Sequence, residues 1–162
     1  MTDEWDNFKR EHVRKWLHHV RACVSQMRSL EDAMAAERDR YDMLKAIRYD
    51  RGGGKCLPVT GDESIVSHIQ RIADISQEME TAGVEYAGEV RFARSVFYSL
   101  TCHDDAGSLM DYHYIQRLTW EDAAAKVGLC ESRVKQIADD ATIECYNLMP
   151  HEYRERIPRA DV

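Results

Sequence analysis

The stretch Leu118-Thr-Trp-Glu-Asp-Ala-Ala-Ala-Lys-Val-Gly-Leu-Cys-Glu-Ser-Arg-Val-Lys-Gln-Ile137 decides how the C-terminal part of the chain folds. It reads as a short helix, a tight turn and a second helix. Thr119 is placed to cap the first helix, with Asp122 three residues later completing a capping box. Ala123, Ala124 and Val127 give that helix a small apolar face. Gly128 stands where the chain must reverse, because glycine alone takes a positive φ without steric cost. Leu129 plugs the turn and Cys130 takes the next N-cap position. Val134, Ile137, Ala138 and Ala141 form the apolar face of the second helix. Small residues inside and a glycine-centred turn make a helix-turn-helix.

Working outward, the second helix is predicted from Glu131 to about Met149. Ile143, Cys145 and Leu148 extend its apolar side and Pro150 stops it. Residues 101–117 predict a short helix that packs across the helix-turn-helix through Leu109, Met110, Tyr114 and Ile115, with Thr101 and Asp104 as a further capping box. The tail, residues 151–162, is charged and reads as frayed.

The upstream part carries two long helical patterns. Over residues 5–48, Val13, Trp16, Val20, Cys23, Met27, Leu30, Met34, Glu37, Tyr41 and Leu44 recur at alternating spacings of three and four, a heptad seam with one fault at Glu37. Over residues 64–100, Ile65, Ile69, Ile72, Ser76, Met79, Gly83, Tyr86, Val90, Ala93, Phe97 and Leu100 make a second seam, started by Thr60 or Asp62. Residues 49–63, with Gly52, Gly53, Gly54 and Pro58, form the loop between them. The Gly-Gly-Gly-Lys run there lacks the glycine spacing of a phosphate loop, the hydroxyl residue after the lysine and a preceding strand, so that reading is rejected. Gly83 and Gly88 are costly in a helix interior and permit either close backbone approach or a kink. The expected fold is therefore all-α: a long antiparallel helical hairpin over residues 1–100, a three-helix domain over 101–150 and a tail over 151–162.

Composition agrees. The chain has 162 residues, 44% hydrophobic and 31% charged, with three prolines, which favours long solvated helices. No apolar run approaches membrane-spanning length, so no membrane partner is expected. The acidic start does not read as a secretory leader, and five scattered cysteines read as free thiols, which together point to the cytoplasm. The net charge of −7 is unevenly spread: residues 104–150 carry four basic and nine acidic side chains, against ten of each over residues 1–50. The basic residues that do cluster lie over residues 9–28, where Arg14, Arg21 and Arg28 recur every seven positions beside Lys9, Arg10 and Lys15. That stripe suits an accessory contact to nucleic acid or to an acidic partner.

Other constellations carry little. Cys102, His103, His113 and Cys130 lack metal-ligand spacing, His18 and His19 beside Cys23 sit partly on the seam, and Asp104 and Asp105 suit a helix N-terminus. No metal, no cofactor and no catalytic residue is expected, and the chain does not read as an enzyme.

The segments Tyr114 to Ala124, Val127 to Cys130 and Arg133 to Ile137 resemble region 4 of bacterial sigma factors, above all the sigma-like domains of phage and prophage regulators of the ArpU and RinA type. Such proteins join this domain to a pair of long helices separated by a glycine-rich loop. The resemblance implies a DNA-binding transcriptional regulator that reads double-stranded DNA with the helix after Gly128, through Glu131, Ser132, Arg133, Lys135 and Gln136. Arg133 suits a guanine edge, Gln136 an adenine and Lys135 a phosphate. RNA polymerase is a further implied partner, and the long helices would serve self-association as a homo-oligomer. Departures from the pattern are Cys130 in place of a Ser or Thr cap, Arg117 where glycine is common, and Glu131 where a basic residue is frequent. The alternative expectation is a protein-interaction or assembly module, either polymerase-binding or a DNA-packaging recognition subunit, held off DNA by its acidic surface.

Overall fold

A computed structural model describes residues 2–50 and 60–154, with side chains described over residues 4–46 and 65–154. The expected all-α class holds: every regular element among the described residues is helical. Helix α1 spans Thr2–Asp50 and α2 spans Thr60–Phe97. A short α3, Ala106–Met110, runs directly into a wide π-helical turn, Asp111–Ile115. Then come α4, Trp120–Val127, and α5, Glu131–Leu148. A 3-10 turn, His151–Tyr153, follows Pro150. The glycine-rich run at 51–59 and the tail beyond 154 lie outside the described residues.

Division by compactness follows packing rather than chain order. One unit comprises Met1–Val24 with Tyr86–Val162, and a second comprises Ser25–Glu85. In the first unit α1 and α2 run antiparallel: Trp16 meets Phe97 and Phe92 edge-on or tilted, and His19 lies opposite Glu89. Val13, Trp16, Leu17 and Val20 are fully buried there with Ala93, Phe97, Leu109 and Met110. Trp5 and Phe8 stack on one another and meet Tyr146 edge-on, tying the start of α1 to the last turns of α5.

In the second unit Ile65, Ile72 and Met79 stand on the half-buried side of α2 as the sequence predicts, but the two seam positions between them move back by one residue. His68 and Ile75 are half-buried, while Ile69 is 50% exposed and Ser76 is exposed. The reason is the fault at Glu37. Its side chain is buried, and His68 Nδ1 lies 2.6 Å from one carboxylate oxygen while Arg40 and Arg71 approach the other at 3.0 and 3.7 Å. A buried carboxylate needs partners, and the 68/75 register supplies them while still burying an isoleucine. The His68 hydrogen bond, followed by the two guanidinium charges, holds the Glu37 carboxyl below its ordinary range.

The glycines divide by role. Gly83 and Gly88 sit in an uninterrupted α2, and a Cβ on either would meet nothing within 4 Å, so neither serves close approach. Gly107, which the periodicity did not single out, does: a Cβ there would lie 2.5 Å from the Phe97 carbonyl oxygen. The backbone of α3 thus passes directly over the end of α2.

The Thr101–Asp104 capping box is not formed. Helix α3 starts later, at Ala106, with Asp105 in the N-cap position and no side-chain cap bond. Thr101 is held instead by Glu144 of α5, whose carboxylate accepts the Thr101 hydroxyl at 2.7 Å and the backbone N–H groups of Thr101 and Cys102 at 3.0 and 2.9 Å. On α5, Leu148 is 37% exposed and Met149 takes the buried place expected of it.

Candidate functional site

The turn between α4 and α5 is built as its residues dictate. Thr119 Oγ1 accepts the Asp122 backbone N–H at 3.1 Å, which starts α4. The Asp122 carboxylate accepts the Thr119 hydroxyl at 2.8 Å, rather than the N–H that a reciprocal box would use. Gly128 ends the helix at φ 72°, and the Leu129 N–H reaches back to the Ala124 carbonyl at 3.1 Å. That bond is the six-residue closure of a Schellman motif. Cys130 takes the N-cap position of α5 with extended backbone, but its thiol makes no cap bond and lies 3.3 Å from Ser132 Oγ. The Ser132 hydroxyl above all holds this exposed thiol below its ordinary pKa. Burial pushes the core thiol of Cys145 up to about 12.

Glu131, Ser132, Arg133, Lys135 and Gln136 all lie exposed on the opening turns of α5, while Val134, Ile137 and Ala138 face the core. Their side chains engage one another: Arg133 donates to Gln136 Oε1 at 2.8 Å, and Lys135 pairs with Glu131 at 2.6 Å. One turn further on, Asp139 lies 3.8 Å from Arg14 of α1, so this face of α5 meets the start of the arginine stripe. Asp140, beside it, pairs with His103 at 3.1 Å.

The stripe does not act as a set. Arg14 is exposed at Asp139, and Arg28 belongs to the second unit. Arg21 donates to His113 Nε2 at 3.1 Å. His113 Nδ1 lies 2.9 Å from the Leu118 carbonyl, which can only accept, so Nδ1 carries the proton and Nε2 is free to take the arginine bond. The ring stacks on Trp120 at 3.8 Å between centroids. Burial above all, and then the Arg21 charge, hold His113 below its ordinary pKa and keep it neutral. Arg21 thus fastens α1 to the entry of α4.

That entry is shaped by the π-turn. Its wide geometry lets residues five apart meet: the Gln116 N–H reaches the Asp111 carbonyl at 3.0 Å, and its side-chain amide reaches the Asp111 carboxylate at 2.8 Å. The same buried carboxylate takes Arg94 Nε at 2.8 Å. Arg117 then adopts φ 62°, a left-handed conformation that favours glycine. Asp111 and Glu144 were not legible as anchors from helical spacing, although Glu144 falls on the predicted apolar side of α5, a signal that its carboxylate must be engaged. Asp104 and Asp105 are exposed and make no cluster with the buried Asp111.

No family model, curated protein or solved structure matches this chain. No helix among the described residues is long and apolar enough to cross a membrane.

Proposed function

We propose that this protein binds double-stranded DNA through the opening turns of α5, as a transcriptional regulator of the phage or prophage type. The observation that carries the reading is the exposed set Ser132, Arg133, Lys135 and Gln136, presented directly after a rigid glycine turn on a helix whose other face is buried. A helix held this way suits entry into the major groove, where Arg and Gln read base edges. The resemblance to sigma region 4 supports the same role, and no catalytic step belongs to it. The long helices would associate with a second copy. Met43, Val66, Ile69 and Val84, all at least half exposed on the second unit, favour such a contact.

A second reading is favoured by one observation: Lys135 is neutralised by Glu131, and Arg14 is met by Asp139. Under that reading the same face binds a protein such as RNA polymerase, or serves a DNA-packaging assembly. Binding to duplex DNA from upstream of its own coding sequence, at several salt concentrations, separates the two. A DNA reader loses about 1–3 kcal/mol of discrimination at one base position on Arg133→Ala or Gln136→Ala. Wild-type affinity with no salt dependence and no difference from either variant would rule the DNA reading out.

A further inference from the structure

Where α1 passes α5 in the first unit, Arg10, Arg14, Lys15 and His18 line an open groove of about 530 Å3 together with Glu11 and Asp139. Its three permanent cations outnumber its two carboxylates, in a chain whose overall charge is −7. The internal pairing is loose. Lys15 stands 3.6 Å from Glu11, and Arg14 stands 3.8 Å from Asp139. Both distances exceed charged hydrogen-bond length, about 2.7–2.9 Å, and both pairs are largely exposed, so each contributes little. Arg10 bonds Asn7 through Nη1 at 3.3 Å, while its Nε is shielded from solvent with no hydrogen-bond partner. The groove is therefore positively charged and holds Arg14 and Lys15 in pairs that are cheap to exchange.

Its position relates it to the α5 face. Asp139 follows Gln136 by three residues and Lys135 by four, so all three share one side of the helix. Along the axis it lies about 9 Å beyond Arg133, at about 1.5 Å per residue. A helix in the major groove, about 12 Å wide, has a sugar-phosphate strand along each border.

We infer that this groove binds the phosphodiester backbone of DNA, with Arg14 and Lys15 taking phosphate oxygens and Arg10 adding its positive charge to the groove wall. Asp139 is its built-in competitor: in the free protein it engages Arg14, and on DNA it must release Arg14 to a phosphate. The inference rests on the reading of α5 as the DNA-facing helix. It assigns the non-specific part of the affinity to residues of α1 and α5 that the sequence resemblance does not mark, and it leaves Arg21, which is committed to His113, out of the contact.

The test measures anisotropy of labelled duplexes of different sequence with the full chain between about 50 and 200 mM salt, for wild type, Arg14→Gln, Lys15→Ala, Asp139→Asn and Arg133→Ala. Circular dichroism checks that each exposed-site variant is folded. Arg14→Gln and Lys15→Ala should each weaken binding to every duplex alike, by about 3- to 10-fold, and reduce the salt slope by about 1. Asp139→Asn should tighten binding to all duplexes by about 3-fold, and by less when Arg14 is already Gln. Arg133→Ala should instead alter preference among sequences. If wild type binds and Arg133→Ala alters preference, but Arg14→Gln and Lys15→Ala keep the wild-type affinity and slope, the groove inference fails and the reading of α5 stands. If wild type shows no salt-dependent binding at all, both fail.

Discussion

In the unit formed by residues 1–24 and 86–162, α1 buries Val13, Trp16, Leu17, Val20 and Val24 to 2% exposure or less. In the unit formed by residues 25–85, among the residues of that helix whose side chains are described only Met34 and Glu37 are below a tenth exposed, and one of those is a carboxylate. The difference lies in the number of neighbours. In the first unit α1 is covered by α2 and by the helices that follow it, so a broad stripe that includes positions 12, 16, 17, 20 and 24 is enclosed. Among the described residues of the second unit two helices have only one another, and a pair of helices encloses little more than a narrow heptad seam. The breadth of an apolar face thus records how many elements lie against it. The second unit also holds its register through a polar cluster at Glu37, whereas the first does so through aromatic packing.

The largest effect that would break this comparison is at Trp16. Trp16→Ala should cost about 3–5 kcal/mol, as for a large buried aromatic, and Met34→Ala about 2 kcal/mol. Equal losses in denaturant titrations would remove the distinction. All three tryptophans, Trp5, Trp16 and Trp120, lie in the first unit, so fluorescence reports on it alone while circular dichroism reports on both. The dichroism of wild type should begin to fall at lower denaturant than the fluorescence changes.

Next in size is Gly107→Ala, which should destabilise by about 1–3 kcal/mol because the added methyl meets the Phe97 carbonyl. A melting temperature equal to that of wild type would mean that α3 and the end of α2 have room to separate. Smaller and opposite in sign, Gly83→Ala and Gly88→Ala should each stabilise by about 1 kcal/mol, one in each unit, because both sites are helical and open. Arg117→Gly should stabilise by about 1 kcal/mol by relieving a positive φ. Thermal melts check all three.

The smallest effect is in the pH dependence, which should differ between the units. His113 has a depressed pKa when folded, so the unfolded chain binds its proton more readily. Its contribution is complete above the ordinary value of 6.5 and is lost as pH falls below it. Glu37, also depressed, contributes fully above 4.5 and loses that contribution as pH falls through the carboxylate range. Acidification from neutral pH should therefore weaken the fluorescence-detected transition first. His113→Asn should flatten that early decline, and Glu37→Gln should flatten only the later one seen by dichroism.

What the sequence determined by itself is what local chemistry settles. The helical class follows from long apolar repeats without proline. The start of α4 follows from the Thr119 hydroxyl, and its end from the positive φ of Gly128. The exposed side of α5 follows from the spacing of Val134, Ile137 and Ala138, which left Ser132, Arg133, Lys135 and Gln136 outside.

Tertiary structure alone decided matters that depend on residues far apart in the chain. Two seam positions of α2 were ambiguous by one residue, since Ile69 and Ser76 satisfy the spacing as well as His68 and Ile75 do. A carboxylate at Glu37, some thirty residues away, settled them by needing partners. Thr101 looked like a cap until Glu144 took its hydrogen bonds, and Gly107 had no local reason to be glycine until Phe97 lay beneath it. Arg14 and Arg21, identical by heptad position, parted because one meets Asp139 and the other His113. Spacing along a helix tells which way a side chain points, but the energy of a buried charge or a close contact depends on what the fold brings opposite it.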